Sequence, residues 1–99
     1  MLRTAPDTDA FFCGNDQIAR GVADALRENG LDVPGQVAIV GYDNWDVMAL
    51  ASRPPLTTID TDLSEIGRRA ALLLLDAIGS KLAPGLHRVP CRLVVREST

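Results

Sequence analysis

Five residues in a row, Tyr42-Asp43-Asn44-Trp45-Asp46, follow directly on an apolar run, Val37-Ala38-Ile39-Val40, and the glycine that ends it, Gly41. Carboxylates accept hydrogen bonds from hydroxyls, an amide both donates and accepts, and flat rings cover the apolar face of a small ring compound. That mix suits a binding site for a small polar molecule. The chain carries no nucleophile–base pair, no phosphate-cradling loop and no metal-ligand spacing. No catalytic residue, metal or cofactor is therefore expected. An enzyme using Asp43 or Asp16 as a general acid or base is the least supported alternative.

The elements that must position these residues read as an α/β pattern. Val37–Gly41 is short and rich in β-branched residues, as in a strand buried on both faces of a parallel sheet. Its carboxyl end, where Asp43 stands, is the edge at which open α/β sheets bind ligands. Upstream, Ala10–Cys13 reads as a strand, Gly14-Asn15-Asp16 as its turn, and about Gln17–Asn29 as a helix with Ile18, Val22, Ala25 and Leu26 on one stripe. Asn15 or Asp16 can cap that helix and Asn29-Gly30 stops it. Strand, helix and strand then form a βαβ unit with a right-handed crossover. Asn44–Ser52 is a loop or short helical segment. Arg53-Pro54-Pro55 forbids regular helix, and Leu56–Ile59 is a third strand. Asp62-Leu63-Ser64-Glu65 has the capping-box pattern and opens a long helix that runs to about Ile78, closed by Gly79. Val89–Arg96 is the expected last strand, with Val89, Cys91, Leu93 and Val95 on one face.

The totals set limits. The chain has 99 residues, enough for one small domain, and 46% of them are hydrophobic, which argues for a packed core. A net charge of −3 and scattered basic residues, Arg68-Arg69 apart, argue against a nucleic-acid surface. No apolar run approaches the roughly 20 residues that cross a bilayer, and no charged-then-apolar leader opens the chain, so a soluble cytoplasmic protein without a membrane partner is expected. Cys13 and Cys91 lack a CxxC partner and read as buried reduced thiols, with a disulfide joining the two strands as the minor alternative.

The long second helix strains the picture of a self-sufficient domain. Leu72-Leu73-Leu74-Leu75, with Leu63, Ile66 and Ile78, place apolar groups around most of its circumference. Such a helix needs cover on more than one side. Either the domain self-associates through it or the chain is part of a larger protein.

The residues also resemble a known family. The blocks Phe12-Cys13-Gly14-Asn15-Asp16-Gln17-Ile18-Ala19-Arg20-Gly21, Gly30-Leu31-Asp32-Val33-Pro34, Val37–Asn44, Pro54-Pro55-Leu56-Thr57-Thr58-Ile59, Ile66–Ala71 and Leu93–Thr99 are similar, in order and spacing, to the C-terminal part of the effector-sensing domain of lactose/galactose-repressor-type bacterial transcription regulators. The resemblance covers nearly the whole chain. It implies a fragment of a periplasmic-binding-protein-like (type I) doubly wound fold, with about four mainly parallel strands and two main helices. Residues 1–58 and 89–99 would belong to the C-terminal subdomain, and 59–88 would form a crossover and a helix of the N-terminal subdomain. The DNA-binding domain would be absent, so DNA would be contacted only through chain beyond this one.

The same resemblance implies the site residues. Asp43 would contact the effector, with a loop-capping role as the plainer alternative. Asn15 would reach the effector or simply cap its helix. Trp45 would cover a sugar ring or pack in a subunit contact, while Tyr42 would join the core. Thr61 and Leu63 would face the cleft from the opposite subdomain. Ile59, Asp60, Thr61 and Asp62 would be the hinge. Ile18, Arg20, Val22, Val47, Leu50 and Ala51 would lie at a dimer surface, with sheet packing as the alternative for Ile18 and Val22. The implied function is ligand sensing for a bacterial repressor. A small polar effector, a sugar or derivative, would sit between subdomains and control operator binding, in a homodimer or higher assembly. A sugar-binding protein of the periplasmic type without DNA function is the alternative.

Overall fold

Three parallel strand segments laid side by side carry the architecture. The structure is a computed structural model and describes residues 4–99; the first three residues of the expected 1–58 segment lie outside it. The elements are β1 (Ala10–Phe12), α1 (Asp16–Glu28), β2 (Ala38–Tyr42), α2 (Asp46–Ala49), β3 (Thr57–Asp60), α3 (Leu63–Ile78) and β4 (Arg92–Val94). The sheet order is β1-β2-β3-β4. β1 pairs β2 and β2 pairs β3 in parallel, with Phe11 opposite Ile39 and Gly41 opposite Thr58. β4 runs antiparallel to β3, with Asp60 opposite Arg92. This is the expected mainly parallel α/β fold, with one short helix more than the two main ones.

Because β1, β2 and β3 are parallel, the loops after all three leave from one edge. The βαβ unit expected around α1 is present, and α1 packs on β2. Its buried face is Asp16, Ala19, Ala23 and Leu26, not the expected stripe of Ile18, Val22, Ala25 and Leu26. Small residues at the contact let the helix axis approach the strand closely. A Cβ on Gly41 would touch the Ala19 methyl at 3.4 Å and would collide with the Asp16 carboxylate. Leu26 anchors the far end, Val22 packs at the core margin, and Ile18 faces out.

The core is Cys13, Ala19, Ala23, Leu26, Val37, Ile39, Ala49 and Leu56. The chain's last residues are sewn into its side. Ser98 O accepts from Ile39 N, while Ser98 Oγ donates to Ile39 O at 2.6 Å and accepts from Thr57 N at 2.8 Å. The hydroxyl thus bridges the backbones of β2 and β3.

α3 lies outside this core. It is capped as the sequence predicts, with the Asp62 carboxylate accepting from Glu65 N and Gly79 at its end, yet none of its sixteen residues is buried. The described chain measures 59 × 27 × 17 Å with a radius of gyration of 17.9 Å, against about 13 Å for a compact chain of this length. The helix and the loop after it extend the molecule.

Two other expectations are corrected. β4 spans only Arg92–Val94 rather than Val89–Arg96. Leu93 and Val95 are exposed, so the expected apolar face of the strand is not covered by the described residues. Cys91 is exposed, while Cys13 is buried and its thiol pKa is pushed up by that burial; both are free.

Candidate functional site

At the carboxyl edge of the parallel strands lies an open recess of about 550 Å³, lined by Asp43, Asn44, Trp45, Asp46 and Leu63. It has two walls. The loop after β2 supplies Asp43 to Asp46, and the first turn of α3 supplies Leu63. Three of the five residues expected to bind ligand, Asp43, Trp45 and Leu63, come together here. Thr61 and Asn15 do not line it. The Thr61 hydroxyl is buried with no hydrogen-bond partner among the described residues. Asn15 is the N-cap of α1, its Oδ1 accepting from Ile18 N at 2.8 Å.

The loop is held residue by residue. Asp43 adopts φ 108° and Asn44 φ 53°, the left-handed region that turns the chain sharply off β2. Asp43 N donates to Ile59 O at 2.9 Å, which ties the turn to β3 and leaves the carboxylate exposed at the recess. Asn44 N donates to Thr58 Oγ1 at 3.3 Å. Trp45 N donates to Asp16 Oδ2 at 2.7 Å, and the Thr58 hydroxyl donates to Asp16 Oδ1.

Asp16 is therefore a structural acid rather than the helix cap. It is 1% exposed, sits in the first turn of α1 where the helix dipole favours an anion, and binds the recess loop and β3 at once. Gly41 is required beside it, because any side chain there would occupy the carboxylate's place.

Asn44 and Asp60 form a second knot. Asn44 Oδ1 accepts from Arg96 Nη2 at 2.7 Å, and its Nδ2 donates to Asp60 Oδ2 at 3.2 Å. Arg96 is fixed in turn by Leu56 O at 2.9 Å. Asp60 also accepts from Asp62 N at 2.8 Å and from Arg92 Nη2 at 3.0 Å. The Asp62 N–H, the Asn44 amide and Arg92 together hold the Asp60 carboxyl below the usual carboxylate range. In the first turn of α3, hydrogen bonds from Arg68 and then Arg69 lower Glu65 to about 2.

Of the expected hinge residues Ile59 to Asp62, Ile59 and Asp60 hydrogen-bond the recess loop, and Asp62 takes φ 55° as it caps α3. Tyr42, expected in the core, is 37% exposed at the end of β2. Gly41, one residue earlier, faces Asp16 and Ala19 of α1, and strand alternation turns Tyr42 to the other face. Of the residues expected at a dimer surface, Ile18, Val47, Leu50 and Ala51 are exposed, and Arg20 and Val22 are half-buried. Arg20 Nη1 lies 3.9 Å from Met48 Sδ, where α1 packs on α2.

Sequence reasoning placed Asn44 and Asp46 in the polar cluster after β2 but assigned neither to the ligand, and it did not foresee the Asn44–Asp60–Arg96 knot. The signal for both lining residues was membership of that polar run at the carboxyl end of β2. The knot had none, since its members are 16 and 52 residues apart. Among the described residues no group of acidic, histidine or cysteine side chains could hold a metal, and no helix is long and apolar enough to cross a membrane.

Comparison with known proteins gives a consistent picture. The periplasmic binding protein-like domain matches the chain over residues 1–99. The transcriptional repressor CytR of Escherichia coli is 42% identical over 91 residues, covering 91% of this chain and 26% of its own length. The structure of the transcriptional regulator CelR in complex with cellobiose superposes on 99% of this chain and 30% of its own, at 36% identity and a TM-score of 0.89. A dimeric Lac repressor with an 11-residue C-terminal deletion superposes on 100% of this chain and 36% of its own, at 34% identity and a TM-score of 0.91. The chain spans about a quarter of the length of the curated relatives it matches.

Proposed function

We propose, from the premise that this chain belongs to the periplasmic binding protein-like domain family in the form carried by lactose/galactose-repressor-type regulators, that it is the effector-sensing portion of a transcriptional regulator. The effector is a small polar molecule, a sugar or sugar derivative, held in the recess between the loop after β2 and the first turn of α3. The observation that carries this reading is the convergence of an exposed carboxylate (Asp43), a half-exposed indole (Trp45) and an apolar side chain (Leu63) on one recess at the strands' carboxyl ends. Asp43 accepts from ligand hydroxyls, and Trp45 and Leu63 cover apolar ring faces.

Residues 59–62 act as the hinge, with 59–88 allied to a second subdomain and 1–58 and 89–99 to the first. The α1–α2 surface around Ile18, Val47 and Leu50 meets a second copy. Effector binding favours one hinge angle, and that preference sets the presentation of DNA-reading parts elsewhere in the assembly. Such control requires the effector to bind the two hinge states with different affinity. CelR's cellobiose complex and the dimeric Lac repressor support the ligand class and the pairing.

Trp45 is the only tryptophan in the sequence, so its fluorescence reports on the recess directly. Titration with cellobiose, lactose and sucrose is expected to change that fluorescence saturably for at least one sugar. Asp43→Ala is expected to abolish the change while leaving the far-ultraviolet circular dichroism intact. A full response in the variant would refute the role given to Asp43.

A further inference from the structure

Asn44 lines the recess, yet its amide is already spent. Its oxygen takes the Arg96 guanidinium and its nitrogen gives to Asp60. Asp60, below it, divides its two carboxylate oxygens between the two walls. Oδ2 accepts from Asn44, on the loop that carries Asp43 and Trp45. Oδ1 accepts from Asp62 N, and the Asp62 carboxylate in turn accepts from Glu65 N at the start of α3, the turn that carries Leu63. No α3 residue is fully buried, so hydrogen bonds carry much of what joins the walls. Beside the bonds that tie the loop to Ile59 and Thr58 of β3, a side-chain relay runs from Asn44 to Asp60 to Asp62 and the α3 first turn.

We propose that Asn44 and Asp60 are positioning residues that set the separation of the recess walls and carry movement of the loop after β2 to α3. Asn44 orients the neighbouring Asp43 and Trp45 and does not itself grip the effector. The inference rests on the recess being the effector site, and it adds which side chains couple that site to the crossover. Charge supports the arrangement. Arg92 on β4 neutralises Asp60 from the open side, and Arg96 holds the far end of the Asn44 amide. The left-handed backbone at Asn44 and at Asp62 places a sharp turn at each end of the relay.

The test is nuclear magnetic resonance on the labelled full chain, which needs no ligand. Asn44→Ala is expected to move the amide resonances of Asp62 and Leu63 and to raise the Asp60 titration midpoint toward the usual carboxylate range. Asp60→Asn, which keeps the side-chain shape, is expected to move the Asn44 side-chain amide and the Leu63 amide together. Asn44→Asp puts a second carboxylate against Asp60, so the Asp62 and Leu63 amides should be displaced at neutral pH and return toward their wild-type positions on acidification. A merely space-filling Asn44 would show no such return. Asn44→Ala shifts confined to residues 43–45, with the Asp60 midpoint and Asp62 amide unmoved, would overturn the proposal. If Asn44→Ala does not fold, Asp60→Asn and Asn44→Asp decide alone, and failure of Asp60→Asn to move Leu63 overturns it. Trp45 fluorescence with cellobiose separates the two readings. Expected resonance shifts in a chain blind to every sugar tested would uphold the relay and remove the sugar instead.

Discussion

α1 and α3 make an instructive pair. Both are capped by an acid or amide side chain at the N-terminus, and both run three turns or more. α3 is the more apolar helix, with four leucines in a row. Yet α1 buries four residues and α3 buries none. Hydrophobicity says what a helix would gain by being covered; topology says whether anything is there to cover it. α1 is covered because a βαβ crossover folds it back onto the strands it joins. α3 leads to a strand that pairs antiparallel at the sheet edge, so its path carries it away from the core.

Removing apolar groups from the two helices puts the contrast to its hardest test. Leu26→Ala, at a residue 2% exposed, should cost about 2–5 kcal/mol and lower the thermal midpoint by roughly 4–8 °C for each kcal/mol lost. Next in size is Asp16→Asn. It leaves either the Trp45 N–H or the Thr58 hydroxyl without its acceptor in a buried place, for about 1–3 kcal/mol. It should also shift the fluorescence of Trp45, because the recess loop loses its anchor. Denaturant titration followed by both signals would show the two effects together; loss of stability with an unchanged indole spectrum would break the link drawn between core and recess. Leu74→Ala, at a residue 63% exposed, should stay within about 0.5 kcal/mol. A cost near that of Leu26→Ala would mean α3 is covered after all.

The smallest effect is electrostatic and belongs to α3. Glu65 is lowered from its ordinary value of 4.5 to about 2 by Arg68 and Arg69. A carboxylate with a depressed folded value contributes above its ordinary value and loses that contribution as pH falls. The first-turn clamp should therefore be complete at neutral pH and fade between about 4.5 and about 2. The carboxyl carbon shift of Glu65 reads this directly, and high salt should move its midpoint back upward.

The same contrast explains what was legible in advance. The limits of α3 follow from Asp62 and Gly79, because caps act within a few residues of chain. β2 followed from a run of β-branched residues, and the recess from the polar cluster at its end. The buried face of α1 did not follow. Ile18, Val22 and Leu26 fit helical spacing, but the face that fits against Gly41 is the alanine face. Asp16 read equally well as a cap, since nothing local distinguishes an acid that faces solvent from one that faces Trp45 N and Thr58 Oγ1.

The sequence by itself determined the elements, their order and the chemistry gathered after β2, because these depend on periodicity, turn residues and side-chain type within short spans. Only the tertiary structure decided that Asp16 is a pillar, that Asn44 meets Asp60 and Arg96, and that three of the four consecutive leucines lie open. Each of those depends on which distant groups the topology brings within hydrogen-bond or packing distance, and no local pattern records a distance across space.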